Sequence, residues 1–357
     1  MDESGLCPEC GAHDYVSGQH LWLDNGDIVM NTGQTERLVF FECENLDPLM
    51  SGIEEIIGVS IEHIVISSYR RALRMYLTSL LPDNVSELVR DRALDLKTVD
   101  DGFRDIAKLT GSGKYEFVDM RYEQDEKDFF TVNITKPYSL LMCVAGHAAA
   151  MEAVLGYDHG VTYAEAGPSA YAITAFPSEH PQELKGRMFL FPYHHQEGEI
   201  DLERCGTCGG PKALSAFKWD LDNGIIAHKI TGRRMAVQGP NELEPISNEL
   251  ENELGDTIPE AIVEAQRRFT KTGFYTMETV SDTDDFRTHL ALRGLGNLKD
   301  LKASKKGLRM RLDNATLHLM IMGMMQGIFD SAFDTDSTVE WELSDDQQLQ
   351  LEVTPKS

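Results

Sequence analysis

Two pairs of thiols offer the clearest chemistry in this sequence. Cys7-Pro8-Glu9-Cys10 and Cys205-Gly206-Thr207-Cys208 hold four of its six cysteines. A C-x-x-C turn presents two thiolates from one tight loop, and a structural zinc takes four, at ~2.3 Å each, in a tetrahedron. Each pair is therefore half a site. If the two pairs meet, Cys7, Cys10, Cys205 and Cys208 hold one zinc that joins distant parts of the chain. Completion across a homodimer is another way to fill the shell, and a redox dithiol is the competing chemistry. In a reducing compartment, paired C-x-x-C motifs read as metal ligands before disulfides.

Other residues offer weaker chemistry. Cys143, His147 and Met151 recur at four-residue steps in the apolar run "YSLLMCVAGHAAAMEAVLG", and a second apolar run carries His318, Met322 and Met325. Methionine is flexible and polarizable and suits an adaptable apolar pocket, so these six are the candidate ligand-binding residues. Cys143 beside His147 at this spacing is thin support for a nucleophile pair. His180, His194, His195 and Glu197 precede Cys205 and could form a second metal site, against the plainer reading of a polar surface segment. "TGSGKY" imitates a phosphate loop, but Lys108 stands where the first glycine belongs and Tyr115 where Ser or Thr is required. "DTDST" lacks the glycine of a calcium loop. No dinucleotide or flavin fingerprint is present, so the chain reads as non-catalytic.

The elements that must position these residues follow from bulk composition and pattern. At 357 residues the chain suits two or more domains, and 41% hydrophobic content supplies real cores. With 33 basic against 59 acidic side chains, the net charge is −26, which repels phosphate backbones and anionic membranes. The polar start "MDESG" does not read as a signal peptide. The longest apolar run contains His147 and Glu152, so it reads as a buried helix rather than a membrane span. A soluble cytoplasmic protein is expected, without nucleic-acid partners.

The sequence also repeats itself. At an offset of 198, Cys7 falls on Cys205, Cys10 on Cys208, Gly11 on Gly209, and Asp24-Asn25-Gly26 on Asp222-Asn223-Gly224. Further on, Pro48 aligns with Pro245, Gly58 with Gly255 and Arg70-Arg71 with Arg267-Arg268. Phe103-Arg104 aligns with Phe286-Arg287, Gly111-x-Gly113 with Gly294-x-Gly296, Gly146 with Gly323 and Glu165 with Glu342. A series in one order implies tandem duplication. Each copy opens on a knuckle and a β-hairpin, the Asp-Asn-Gly triplets being turn chemistry. A helix follows, with Leu243, Ile246, Leu250 and Leu254 on one stripe, and the next begins near Thr257 as N-cap. Strand, strand, helix, strand, strand closes each copy. The expected class is α+β, arranged as an intramolecular pseudo-dimer. The segments are 1–43 and 205–239 (knuckle hairpins), 44–178 and 240–357 (layered domains), and 179–204 (insertion).

The stretch from "GSGKYEFVDMRY" through "AAAMEAVLGYDHGVTYAEAGPSAYAITAFP" resembles the 4-vinyl reductase, or predicted hydrocarbon-binding, domain. It shares a Gly-rich start, a strand pair, a helix with internal Gly146, a following Leu-Gly and a strand bearing Glu165. The second copy matches more loosely from Gly294 to Pro355, and with the preceding helices the likeness spans roughly three quarters of the chain. The family includes a component implicated in vinyl reduction of a bacteriochlorophyll precursor and the sensor domains of phenol-responsive regulators. Its fold is similar to longin-like subunits of vesicle-tethering complexes. The resemblance implies a protein that binds a hydrophobic, aromatic or tetrapyrrole-like molecule, or one that acts through protein contacts. An accessory role to a vinyl-reducing enzyme ranks below these. Many members carry zinc-binding cysteines after the glutamate. Here neither Glu165 nor Glu342 is followed by one, so the resemblance does not bring that zinc site.

Overall fold

The computed structural model describes residues 5–32, 36–185, 187 and 196–356. After the opening knuckle come a short helix, α1 (Asp14–Gln19), and strands β1 (His20–Trp22), β2 (Ile28–Met30) and β3 (Arg37–Glu42). Helices α2 (Leu46–Ile57), α3 (Glu62–Leu80), α4 (Val85–Arg90) and α5 (Leu96–Leu109) follow. Strands β4 (Lys114–Arg121) and β5 (Phe129–Thr135), helix α6 (Leu140–Leu155), and strands β6 (His159–Gly167) and β7 (Ala170–Pro177) complete the first half. A one-turn helix, α7 (Gln182–Lys185), starts the connection.

The second half repeats this order. Strands β8 (Phe217–Asp220), β9 (Ile225–His228) and β10 (Arg234–Gln238) lead into α8 (Pro240–Leu254), α9 (Ile258–Phe269), α10 (Met277–Val280) and α11 (Thr283–Leu292). Strands β11 (Asn297–Ser304) and β12 (Gly307–Asp313), helix α12 (His318–Phe333), and strands β13 (Ser337–Leu343) and β14 (Leu349–Pro355) finish it. The protein is α+β. The two four-stranded antiparallel sheets have matching orders, β4-β5-β7-β6 and β11-β12-β14-β13.

Period-two burial fixes the inner face of each sheet. Phe130, Val132 and Ile134 point inward from β5, as do Leu308, Met310 and Leu312 from β12. Helices α6 and α12 are covered by their sheet on one side and by α3 or α9 on the other. Each helix pair holds a charge pair with a buried carboxylate, Arg70 with Glu152 in the first half and Arg267 with Asp330 at 2.6 Å in the second. Some expected details differ. Helix α1 separates the first knuckle from its hairpin, where the second half has only a 3-10 turn, Lys212–Ala216. Helix α9 starts after Thr257 as expected, but the Thr257 side chain makes no capping hydrogen bond.

A central six-stranded sheet, β1-β2-β3-β10-β9-β8, is built from both halves. Its seam is antiparallel, with Phe40 opposite Val237 and Phe41 opposite Ala236. Each hairpin then leans on the opposite half. The backbone N–H of Phe40 donates to Arg293 O, and that of Val237 to Thr110 O, both at 2.9 Å. Arg37 reaches the carbonyls of Gly294 and Asn314 at 2.8 and 2.6 Å, while Arg234 reaches those of Lys136 and Pro137. The turn glycines permit this crossing. A Cβ on Gly26 would collide with the Gly296 carbonyl, and one on Gly224 with the Gly113 carbonyl. Helix α2 packs on α9 and α8 on α3, so the exchange continues through the helical layer.

Candidate metal centre and ligand cavity

The two knuckles have the same local geometry. Cys7 N donates to Ala12 O and Gly11 N to Cys7 O; Cys205 N donates to Gly210 O and Gly209 N to Cys205 O. Gly11 and Gly209 both sit at φ +75°, the left-handed turn that frees their N–H groups to close the loop. The knuckles face each other and pack in one apolar cluster with Phe40, Met235 and Val237 of the six-stranded sheet. Cys7 Sγ lies 3.7 Å from Cys205 Sγ and Cys10 Sγ 3.5 Å from Cys208 Sγ, and all four sulfurs fall within 4.8 Å of one another. Thiolates arranged tetrahedrally at ~2.3 Å from zinc stand ~3.8 Å apart, so the cage has the right size. The sulfurs are well beyond the ~2.05 Å of a disulfide.

The surroundings complete the cage. Cys7, Cys10 and Cys205 are buried and Cys208 is half-buried, beside a cluster containing Val16, Leu214, Phe217 and Trp219. Desolvation pushes the Cys7 thiol up, but the Cys10 and Glu9 backbone N–H groups and neighbouring thiols outweigh it and bring it down to about 7. Glu9 crosses between knuckles, accepting from Thr207 Oγ1 at 2.8 Å and Gly206 N at 3.3 Å. The cluster can hold a metal ion, with two ligands from each half of the chain.

His180 meets different partners from those its neighbours in sequence suggested. His194 and His195 lie outside the described residues, and Glu197 is exposed. His180 Nε2 stands 2.9 Å from Glu152 Oε1, with Asp158 adjacent. Arg70 and Arg74 already pair with Glu152, and Arg74 with Asp158 at 3.1 Å. Two guanidiniums occupy the place a metal cation would need, so this is an ion-pair network.

Of the pocket candidates, His147 lines a cavity of ≈ 140 Å³ in the first half, between α3, α5 and α6. Cys143 and Met151 turn away from it into the core. The cavity-facing row of α6 is Met142, Gly146 and Ala150, one residue before the predicted row. Burial pushes the Cys143 thiol up to about 12 and the His147 imidazole down to about 4, where its Nε2 meets Phe130 O at 3.0 Å. Neither is poised as a nucleophile or base. In the second half, Met322 and Met325 are wholly buried in the core, and His318 lines an outer groove between α2, α8 and α12. The corresponding cavity there shrinks to ≈ 30 Å³.

Residues that pattern did not single out give the first cavity its character. Tyr69, Tyr76, Phe103, Tyr115 and Tyr138 supply aromatic walls. The Tyr69 oxygen lies 2.7 Å from Tyr138 OH, 2.8 Å from Gln238 Oε1 and 3.2 Å from Glu242 Oε2. Gln238 and Glu242 come from the opposite half, carried in by the crossed hairpin. Burial pushes the Glu242 carboxyl up, the Tyr69 hydroxyl and the Gly239 N–H pull it back, and Glu36 adds a small upward push, leaving it at about 7. The Asp100–Arg104 pair and neutral His20 also face the cavity. At ≈ 140 Å³ the cavity is the size of a single ring, which among the expected ligand classes favours the aromatic over the tetrapyrrole-like.

Glu242 makes a prediction about stability. Its folded-state value lies above that of an unfolded glutamate, so the native state binds more protons and loses stability as pH rises from about 4.5 through about 7. Glu242→Gln should therefore stabilise the ligand-free protein above neutrality, by on the order of 3 kcal/mol. The gain should vanish in acid, where both states are protonated. Denaturant unfolding of both proteins across that pH range measures it.

No known family model matches the chain, and no curated protein matches it. Among solved structures, the chain is similar to an oxygen-binding H-NOX domain related to soluble guanylate cyclases. Identity is 14%, covering 33% of this chain and 72% of that one, with a TM-score of 0.23. A structure probing heme distortion in the H-NOX family gives 17% identity over the same share of this chain and 72% of its own, with a TM-score of 0.25. A Cs H-NOX mutant carrying 4-cyano-L-phenylalanine gives 13% identity over 36% of this chain and 80% of its own, with a TM-score of 0.26. Likenesses this faint decide neither fold nor function. Among the described residues, no helix is long and apolar enough to cross a membrane.

Proposed function

We propose that this chain is a non-catalytic small-molecule-binding protein of the cytoplasm, stapled by one zinc and built as a duplicated 4-vinyl-reductase-like unit in pseudo-dimeric form. The observation that carries the binding function is the asymmetry of the cavities. The first half keeps ≈ 140 Å³ with aromatic walls and convergent polar groups, whereas its counterpart is filled. Pockets of that character are where ligands bind. The matching strand orders and the repeated pairing of an arginine with a buried carboxylate support the duplication. The all-thiolate cage supports zinc.

A panel of single-ring compounds, read by thermal shift of the full chain, tests the binding role. At least one should raise the melting temperature, and raise it further, roughly as the logarithm of its concentration, once that concentration exceeds its Kd. Ala150→Phe, which fills the cavity, should abolish that shift. A panel with no stabilising member overturns the reading. The outer groove of ≈ 560 Å³, lined by Leu46, Met50, Leu243 and Leu319, favours a second reading as an assembly protein that docks partners there.

A further inference from the structure

The half without a cavity shows what the other half lacks. Arg293 and Thr110 hold equivalent backbone places, each accepting from the seam strand of the opposite half at 2.9 Å. Arg293 is buried and its guanidinium pairs with buried Glu42, which also accepts from Tyr275 OH at 3.0 Å. That ion pair fills the second cavity. In the first half, Thr110 is short and leaves space, and the segment equivalent to Glu42 carries Gly239. The Glu242 carboxylate lies against Gly239, where a side chain at that position would begin. So both halves bury a carboxylate at this end of the fold. Among the described residues, only the second half supplies it with a cation.

Hydrogen-bond accounting points the same way. Glu242, Gln238 Oε1 and the two tyrosine oxygens present acceptors in quantity, with two hydroxyl protons and the Gly239 N–H to share among them. The Gln238 amide N–H is directed to Ser112 Oγ at 3.3 Å. His20 lines the cavity, and its buried Nδ1 has no hydrogen-bond partner. Arg104 faces the same space, but Asp100 at 2.6 Å and Asp101 hold its guanidinium. An ammonium offers three donors and a guanidinium five, and neither offers an acceptor. Aromatic faces attract such cations.

We propose that the cavity's ligand is a small organic cation, an ammonium or guanidinium on a single-ring body, whose head takes against Glu242 the place that the Arg293 guanidinium takes against Glu42. The inference rests on the binding role proposed above. A cavity of ~150 Å³ holds one benzene, so a ring with a short charged head suits ≈ 140 Å³ that is open at one side.

Calorimetric titration of the full chain above neutral pH tests this, with benzylamine and benzamidine as charged probes and benzyl alcohol and benzamide as their neutral shapes. The cations should bind at least about tenfold tighter than the neutral compounds, as expected for a charge-assisted contact. Glu242→Gln should bring the cations to the level of the neutral compounds and leave the latter unchanged. Thr110→Arg, which places the second half's arginine in the first, should remove binding of both kinds. Neutral compounds binding as tightly as the cations, or cations indifferent to Glu242→Gln, overturn the charge assignment and leave the cavity's binding role standing. Absence of binding by all four probes overturns both.

Discussion

Stripping the metal with a chelator under reducing conditions is expected to destabilise the whole chain, by on the order of 5 kcal/mol or more. The four sulfurs come from knuckles 198 residues apart, and each knuckle leads into a hairpin on one side of the central seam. Removing the ion leaves four thiols crowded within 4.8 Å, with nothing to balance a thiolate charge. Loss should therefore spread from the cage through the sheet to both layered domains. Thermal unfolding with and without chelator measures it, alongside metal analysis that should find one zinc per chain. Cys10→Ser and Cys208→Ser should each approach the effect of chelation, and combining them should add little, because both delete the same site. A colourless protein fits zinc, and a coloured one would point to iron in the same cage. Metal-free protein with unchanged stability would sink the staple.

The second large effect is expected at Arg293. Arg293→Ala should cost about 3–5 kcal/mol, because it strands the Glu42 carboxylate in the core. Only the Tyr275 hydroxyl remains for it among the contacts described. Replacing both members by apolar residues of similar volume, as in Arg293→Met with Glu42→Met, should recover most of the loss, since two absent charges need no solvation. Denaturant midpoints of the single and double variants measure the difference. A single variant within about 1 kcal/mol of the parent would mean that water reaches the site, contrary to its burial.

The strands, helices and hairpins could be read from sequence because their signals are local. The Asp-Asn-Gly triplets mark the β1–β2 and β8–β9 turns of the central sheet, and alternation marks β5, β12 and β14. The cysteine cage was legible because the two C-x-x-C pairs share one offset, so each predicts where its missing half lies. The cavity was not. Helix α6 is buried on nearly every side, so its apolar pattern has no stripe to say which face meets empty space, and the row beginning at Cys143 was read in place of the row beginning at Met142. Glu242 and Gln238 looked like ordinary residues around a helix start. Their importance comes from the crossing of the hairpins, which places them in the opposite half. Arg293 next to Gly294 aligns with Thr110 next to Gly111, and that difference was visible. Only the packed structure shows that it decides which half has room.

The β3–β10 seam bears on how the protein is made. Strand β3 emerges before its partner, which follows nearly 200 residues later, an interval of roughly 10–40 s at ordinary translation rates. During that time Trp22, Ile28 and Phe40, all buried in the finished molecule, have no cover. The nascent first half cannot close its own sheet. A neighbouring chain further along in synthesis offers the β10 that this one is waiting for, so exchanged dimers are the characteristic misassembly to look for when the protein is overproduced.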